Sequence, residues 1–286
     1  MIIVKLKGGF GNQLFQYATG RQLSLYYNVP LLLDLSYLEV KQFERSHTTR
    51  FFELDKLQIV ANIATPKDIT SVKRQGCLKL FGSPYLREKK MRFNPKVLRV
   101  GANAFLDGFW QSEKYFMSIK QNLYHEFTFK TAITDTYLLG IKKEIEIKNS
   151  VSIHFRRGDY VTNHVASKNH GVCSMEYYEK AVELIANQVQ NPIFFVFSDD
   201  IQWVKKEFHC RFTTHYIDKS IEDIHSDFQL MTLCKHNIIA NSSYSWWAAW
   251  LNQNKEKIVV APKRWFADVK QQAQTNDLIP QSWIKI

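Results

Sequence analysis

The sequence has few cysteines, and none of them stands in a pattern that suggests metal binding or cross-linking. The four, Cys77, Cys173, Cys210 and Cys234, lie far apart, and the chain contains no Cys-x-x-Cys pair. This spacing argues against a zinc ribbon and against a disulfide framework. We therefore expect a protein of a reducing compartment, with the cytosol as the best fit.

Long apolar runs are also absent. No run reaches the roughly 18 residues that a transmembrane helix needs. Residues 1–5 are typical of a short strand rather than of a signal peptide, because no basic segment precedes an apolar core. We expect a cytoplasmic protein, and any contact that it makes with a membrane should be peripheral.

Long basic runs are missing too, although the net charge is +11 and the pI is about 9.3. A basic surplus favours anionic partners such as nucleic acid, an acidic membrane face or a phosphorylated small molecule. The densest patch, residues 87–92, contains an acid, and the other lysines are scattered rather than set in a stripe with aromatic residues. The sequence therefore predicts no nucleic-acid partner, while peripheral contact of a basic surface with a membrane stays open.

The chain does contain an alternation of strands and helices. Residues 2–6 form an apolar strand, residues 7–13 a glycine-rich turn, and residues 31–35 a second strand after a helical pattern. This βαβ unit predicts a parallel sheet with helices on both faces. The glycines do not follow the spacing G-x-G-x-x-G, so a dinucleotide cofactor is not inferred.

The second half repeats this rhythm, and a polar, lysine-rich stretch at 130–149 separates it from the first. The length of the chain favours two domains. We place them at residues 1–149 and 150–286, with the polar tail 267–286 packing back across the molecule. The predicted strands of the second domain are 151–155, 193–197, 237–240 and 258–262.

Two features of the first half are candidates for ligand contact. Gly11 and Asn12 open the first helix, where backbone amides can face an anion or a sugar. Asn12 either caps this helix or hydrogen-bonds a ligand, and capping is the favoured interpretation because Asn is preferred at caps. Phe109, Trp110 and Tyr115 would suit an aromatic wall for a sugar acceptor, although core packing is the commoner role of such residues.

Three polar motifs follow strands of the second half, at residues 154–159, 198–200 and 241–245. Ligands of open α/β sheets bind at the carboxyl ends of the strands. Arg156, with Arg157 near it, would meet a diphosphate. The alternative is that an arginine pairs with Asp159 and simply holds a surface turn.

The other polar residues at these strand ends suit the rest of a nucleoside diphosphate. Hydroxyls and amides of Ser242 and Ser243, at a helix N-terminus, would add donors to the phosphates. A carboxylate would accept from ribose hydroxyls or from the N–H edge of a guanine. Plain helix capping is the structural alternative for the serines and the aspartates. The remaining candidates for donor binding are Asp199, Asp200, Asp227, His154 and Tyr244.

A further absence bears on the chemistry, because no Asp-x-Asp triplet occurs in the chain. Metal-dependent enzymes that use sugar nucleotides hold a divalent ion on the diphosphate with such a pair. Here arginine and a helix N-terminus would have to stabilise the departing diphosphate instead. We therefore expect transfer that needs no metal and no other cofactor.

These motifs resemble those of the α-1,2-fucosyltransferases. Residues 154–161, HFRRGDYV, resemble the signature of that family, residues 8–18 its N-terminal motif and residues 227–251 its C-terminal motif. The resemblance implies a GT-B type α/β fold of two Rossmann-like domains, with the donor site in the C-terminal domain. It also implies inverting transfer from GDP-β-L-fucose to the 2-hydroxyl of a terminal galactose. The bacterial members of the family make O-antigen and other surface glycans, and this implies a place at the inner face of a bacterial membrane.

The same resemblance assigns roles residue by residue. Arg156 matches an arginine that binds the donor diphosphate, and Asn12 matches an asparagine near the reacting centre. Ser243 matches a phosphate-binding serine, and Asp227 a carboxylate that reads guanine. Residues 198–200 resemble a donor-binding segment. Another nucleotide-linked deoxysugar, used by the same fold, is the alternative donor.

The general base is left open. The related α-1,6 enzymes place a glutamate eight residues past the first arginine, and His164 occupies that position here. Asp159 is the first candidate, although two arginine neighbours should lower its pKa and weaken it as a base. His164 has an ordinary pKa better matched to neutral pH. A third possibility is little base catalysis, with the diphosphate leaving early from an oxocarbenium-like state.

Overall fold

The computed structural model describes residues 1–39, 50–75, 85–158, 171–218 and 224–286. The chain forms two compact units, Met1–Thr131 with Ala273–Pro280, and Ala132–Gln272 with Gln281–Ile286. The sequence placed the division at 149/150, whereas the structure places it at 131/132. The difference arises from helix Thr136–Ile147, which belongs to the second unit.

The first unit contains a five-stranded parallel sheet in the order β3-β2-β1-β5-β4. Its strands are β1 Ile2–Lys5, β2 Leu31–Asp34, β3 Asn62–Ile63, β4 Tyr85–Arg87 and β5 Ala104–Asp107. Its helices are α1 Phe10–Tyr27, α2 Ser36–Glu39, α3 Pro66–Gln75 and α4 Lys120–Glu126, with short 3-10 helices at Leu54–Lys56, Pro95–Arg99, Glu113–Tyr115 and Met117–Ile119.

Helix α1 begins and ends where its sequence allows. Gly9, in extended conformation, precedes it, and Asn28 ends it in the left-handed region at a φ of 50°. Asn is one of the few residues that adopts that region readily. Gly20 lets α1 lie directly on the sheet, because a Cβ there would come within 2.9 Å of Leu31 and closer still to Val4.

The second unit contains a six-stranded parallel sheet in the order β11-β10-β9-β6-β7-β8. Its strands are β6 Asn149–Phe155, β7 Pro192–Ser198, β8 Thr214–Tyr216, β9 His236–Ile238, β10 Val259–Ala261 and β11 Ile284–Lys285. Its helices are α5 Thr136–Ile147, α6 Met175–Ala186, α7 Ile201–Glu207, α8 Ile224–Leu233, α9 Ser243–Leu251 and α10 Val269–Gln272.

Strand β6 lies between β7 and β9, and its apolar side chains are at the centre of the second core. Val151, Ile153 and Phe155 pack with buried side chains of α6 and β7. The predicted α/β class with parallel sheets is therefore confirmed in both units. Within the ranges described, no helix is long and apolar enough to cross a membrane.

The C-terminal tail contributes to both units. Ala273–Pro280 belongs to the first, and Gln281–Ile286 returns to the second, where β11 pairs with β10. In the first unit the carboxylate of Asp277 accepts the backbone N–H of Phe93 at 3.1 Å and pairs with Lys114. In the second, Trp283 packs against Trp246 with ring centroids 5.4 Å apart.

Candidate functional site

The register of the second sheet brings the three predicted motifs to one edge. Phe155 at the end of β6 pairs with Ser198 at the end of β7, and Ile153 pairs with Ile238 at the end of β9. The residues that follow these strands are 156–158, 199–200 and 239–243. Because the strands are parallel neighbours, all three segments leave the sheet at the same edge.

The carboxylate of Asp199 organises the first of these segments. Its Oδ2 lies 2.7 Å from Nη1 of Arg156, and its Oδ1 accepts the backbone N–H of Arg157 at 2.8 Å. Gly158 lies so close that a Cβ would come within 2.6 Å of Asp199 Oδ2. The side chains of Arg156 and Asp199 remain 24% and 25% exposed. Arg156 is thus held in place by a charge-assisted bond and is still accessible to an anion.

Arg157 is engaged differently. Its Nε lies 3.3 Å from Oδ2 of Asp200, and its guanidinium carbon lies 3.3 Å from the ring centroid of Trp203. Asp200 in turn caps α7, since its Oδ1 accepts the backbone N–H of Trp203 at 3.4 Å. The stacked arginine therefore joins the end of β6 to α7 and braces the loop.

These contacts bear on the roles predicted for the two aspartates. Both carboxylates bond to arginines, and Asp200 also has the capping role that was the structural alternative. Contact of Asp199 or Asp200 with a ribose or a guanine stays a prediction. The arginines of this turn pair with Asp199 and Asp200, and the pairing anticipated with Asp159 concerns a residue outside the described ranges.

His154 lies on β6 directly before these residues and is buried. Burial lowers the pKa of His154 to about 4, with Asp199 opposing the shift and Arg156 adding to it. The imidazole is therefore neutral at physiological pH. Its Nδ1 has no hydrogen-bond partner among the described residues, and its ring packs on Tyr244 at 5.5 Å between centroids.

The third segment leads into α9. Ser242 occupies the N-cap position, but its side chain makes no capping bond. The turn is fixed by Asn241, whose Nδ2 donates to the carbonyls of Gly171 at 3.2 Å and Trp265 at 3.0 Å. Ser243 is the first residue of α9 and stays partly exposed. The positive end of the helix thus lies at the same sheet edge as Arg156.

The remaining candidates are Asp227, predicted to bind the donor, and the two residues considered as general base. Asp227 lies half-buried in the first turn of α8. Its neighbour Phe228 packs edge-on against Tyr244, with centroids 5.3 Å apart. Asp159 and His164, the two candidates for the general base, lie outside the described residues.

In the first unit, buried glutamines of α1 hold the glycine-rich turn. Gln16 accepts the backbone N–H of Lys7 at 3.0 Å and donates to the carbonyl of Lys7 at 3.0 Å. Gln13 donates to the carbonyl of Gly8 at 3.0 Å and to that of Phe51 at 2.7 Å. The sequence reasoning missed both glutamines. The signal in the sequence was that both amide side chains occupy positions of α1 that the helical pattern predicts to be buried.

The prediction that Asn12 caps α1 is wrong. Gly9 is the N-cap residue, and no side chain caps the helix. The Oδ1 atom of Asn12 instead accepts a hydrogen bond from Nε2 of Gln111 at 2.7 Å. Gln111 lies in the turn that follows β5. Gly11, the other candidate in this turn, is buried in the first turn of α1.

The aromatic residues after β5 form core rather than an open wall. Trp110 and Tyr115 are 2% and 1% exposed and meet edge to face at 5.9 Å. Phe109 alone of the three is partly exposed, and the ammonium of Lys7 lies 4.9 Å from its ring centroid. In the part of the chain that the structure describes, no group of three or more His, Cys, Asp or Glu side chains could hold a metal ion.

Comparison with known proteins decides the family. The model of glycosyl transferase family 11 matches residues 1–286 of the chain. The chain belongs to glycosyl transferase family 11. Membership of family 11 confirms the family that residues 154–161 indicated, and it shows that the protein is a glycosyltransferase.

Two relatives from Escherichia coli are similar to this family 11 chain over its whole length. An alpha-1,2-colitosyltransferase is 35% identical over 303 residues, covering 100% of this chain and 99% of the relative. The O-antigen biosynthesis glycosyltransferase WbnK is 35% identical over 311 residues, covering 98% and 99%.

A solved structure supports the fold. Arabidopsis thaliana FUT1, in complex with GDP, aligns with a TM-score of 0.50 over 90% of this chain and 69% of that one, at 10% identity. At this identity the likeness concerns the fold alone. It confirms the predicted GT-B type of this family 11 enzyme.

Proposed function

We propose that the protein transfers L-fucose from GDP-β-L-fucose, with inversion, to the 2-hydroxyl of a terminal galactose in the synthesis of O-antigen or another surface glycan. The observation that carries the proposal is Arg156, which Asp199 holds at the carboxyl end of β6, within the segment that resembles the fucosyltransferase signature. The α-1,2 linkage and the O-antigen context in the names of the two relatives support it.

The reaction forms a bond between the acceptor oxygen and the anomeric carbon and breaks the bond from that carbon to the diphosphate. Negative charge therefore grows on the departing GDP. Arg156 would stabilise that charge through its guanidinium, and the N-terminus of α9 at Ser243 would do so through its backbone amides and dipole. The acceptor hydroxyl loses its proton to Asp159, to His164 or to solvent. The bond between the anomeric carbon and the diphosphate oxygen breaks at the same time.

His154 is a poor candidate for that base. Its buried imidazole would have to gain a charge, and its pKa of about 4 makes it a weak acceptor of protons. In the proposed mechanism His154 supports Tyr244 and the end of β6 and does not exchange a proton with the acceptor.

A second donor has a specific observation in its favour, since one relative is named an alpha-1,2-colitosyltransferase. Colitose is fucose without the 3-hydroxyl, so the two donors carry the same GDP and differ by one hydroxyl. Arg156 and α9, which would meet the diphosphate, suit both. The choice between them depends on contacts to the sugar.

The deciding experiment is a donor and acceptor panel. The purified protein is given GDP-fucose or GDP-colitose with lactose, N-acetyllactosamine or galactosyl-N-acetylgalactosamine, and the product is analysed by mass spectrometry and NMR. We expect a fucosylated product with an α-1,2 linkage to galactose. Transfer of colitose with no transfer of fucose would establish the second donor instead.

The same assay tests the proposal that no metal takes part. If arginine and a helix N-terminus stabilise the leaving diphosphate, activity should survive in EDTA. Complete loss in EDTA that manganese restores would refute metal independence.

The net charge of +11 supports peripheral contact with an anionic membrane face. Co-sedimentation with vesicles tests this contact. We expect binding to vesicles with anionic lipid, weakened by salt, and no binding to neutral vesicles. Equal binding to both would contradict it.

A further inference from the structure

The turn after β5 has an unusual backbone. Trp110 lies at a φ of 57°, in the left-handed region. A bulky aromatic residue rarely adopts this region unless its surroundings enforce it. Gly108 permits the close packing of the turn, since a Cβ there would come within 2.5 Å of Glu88 and 2.6 Å of the Trp110 ring.

A half-buried carboxylate holds this turn. The Oε2 atom of Glu88 accepts the backbone N–H of Phe109 at 2.6 Å, and its Oε1 accepts that of Trp110 at 3.2 Å. Ser112 closes the turn by donating its backbone N–H to the carbonyl of Trp110 at 2.8 Å. The left-handed conformation of Trp110 is thus fixed on both sides, and the hydrogen bond from Ser112 to Trp110 encloses Gln111.

The turn presents Gln111 to Asn12. The Nε2 atom of Gln111 donates to Oδ1 of Asn12 at 2.7 Å. On its other side Asn12 faces Gly8, which has a φ of +78° and at which a Cβ would lie 2.6 Å from Nδ2 of Asn12. Within the described residues Nδ2 of Asn12 has no acceptor, while its Oδ1 is taken. Asn12 therefore has a fixed orientation with N–H groups left to donate.

We propose that Gln111 is a positioning residue, which fixes the side chain of Asn12 so that its N–H group, and not its carbonyl oxygen, contacts an oxygen of the reacting sugar. The inference rests on the proposed function and on the resemblance to the fucosyltransferases, by which Asn12 matches an asparagine near the reacting centre. In this proposal the strained turn at Trp110 holds the side-chain amide of Gln111 against Asn12. A strained backbone that is fixed by its surroundings is typical of functional sites.

The test compares two near-isosteric changes of Gln111. Gln111→Met removes the hydrogen bond, and Gln111→Glu replaces the donor by an acceptor, which would turn the Asn12 amide around. Misplacing a group at the reacting centre typically costs up to about 100-fold in rate. We expect both variants to lower kcat by about 10- to 100-fold with little change in KM for the donor. Normal kcat in Gln111→Glu would show that only the shape of the side chain matters and would overturn the proposal.

A double-mutant cycle with Asn12→Ala separates positioning from general support of the fold. If Gln111 acts through Asn12, Gln111→Met should cause no further loss of kcat in the Asn12→Ala background. Independent, multiplied losses would refute the coupling. Gln188→Met is the matched control, because Gln188 is exposed in the turn after α6 and its side chain donates to the backbone carbonyl of Leu184.

The wild-type assay distinguishes failure of this inference from failure of the proposed function. If the wild-type protein transfers a deoxysugar and the Gln111 variants match it, the positioning role alone is wrong. If the wild-type protein transfers neither donor, the proposed function is wrong and the inference fails with it. Melting temperatures of all variants identify any loss of activity that comes from unfolding.

Discussion

At the end of β6, one carboxylate binds the side chain of Arg156 and the backbone of Arg157. Asp199 therefore fixes both the position and the direction of the Arg156 guanidinium before any ligand arrives. Preorganised charge of this kind stabilises developing negative charge without reorganisation. Arg157 instead stacks on Trp203.

We predict that Arg156→Ala lowers kcat/KM for the donor by about 100- to 1,000-fold, the usual cost of removing one preorganised electrostatic contact. Steady-state kinetics with varied donor would measure it. Arg211→Ala is the control, since Arg211 is an exposed residue paired with Glu183. Near wild-type turnover in Arg156→Ala would refute the assignment of Arg156 to the diphosphate.

His154 makes the stability of the protein depend on pH. Its pKa in the folded protein is about 4, below the ordinary value of 6.5, because burial disfavours the charged form. Between these values the unfolded chain binds a proton that the folded protein does not. The contribution of His154 to the free energy of unfolding is therefore fully present above pH 6.5 and is lost as the pH falls toward 4.

We predict that His154→Gln reduces this loss. Urea unfolding measures the free energy of unfolding of each protein at pH 7 and at pH 4.5. The decrease between these two pH values should be larger in the wild-type protein than in the variant, by up to about 3 kcal/mol. Because other groups titrate equally in both proteins, only the difference between the two is assigned to His154. Parallel curves of stability against pH would contradict the prediction.

At the scale of the helix, the sequence located α1 but not the reason for its close contact with the sheet. Gly20 lies on the buried face, where Val4 and Leu31 leave no space for a methyl group. Gly140 lies on the exposed face of α5, where a Cβ would meet nothing within 4 Å. The two glycines have the same helical setting and opposite surroundings.

We predict that Gly20→Ala lowers the free energy of unfolding by about 1–3 kcal/mol, because the added methyl must displace core side chains. Gly140→Ala should raise it by about 0.5–1 kcal/mol, because alanine loses less entropy than glycine in a helix. Urea denaturation of each variant measures both changes. Destabilisation by Gly140→Ala would show that α5 has a neighbour at this face.

At the scale of the whole molecule, the tail holds together parts that are distant in sequence. Its first segment places Asp277 against Phe93 and Lys114 in the first unit. Its last segment adds β11 to the second sheet and buries Trp283. The tail was predicted to pack back across the molecule; its segment Ala273–Pro280 belongs to the first unit and Gln281–Ile286 to the second.

We predict that ending the chain after Gln272 destabilises both units, because each loses buried side chains and hydrogen bonds. Buried apolar residues typically contribute about 2–5 kcal/mol each, so the loss should be several kcal/mol. Urea unfolding followed by tryptophan fluorescence would detect it. Gln281→Ala is the control, since Gln281 is exposed. An unchanged midpoint would show that the tail contributes nothing to stability.

The sequence by itself determined the parallel α/β plan, the family and the strand ends that hold Arg156, Asp199 and Ser243. Apolar periodicity and glycine are local signals, and a parallel sheet places the ends of its strands at one edge. It was uninformative over residues 36–105, where the strands are short and the pattern is weak.

Only the tertiary structure decided which partner each polar side chain takes. Asp199 bonds to Arg156 because β6 and β7 pair in one register, and Asn12 bonds to Gln111 instead of capping α1 because β1 and β5 are neighbours. A hydrogen bond requires atoms to meet within about 3 Å. That distance is set by strand order and register, which residues far apart in the chain establish together.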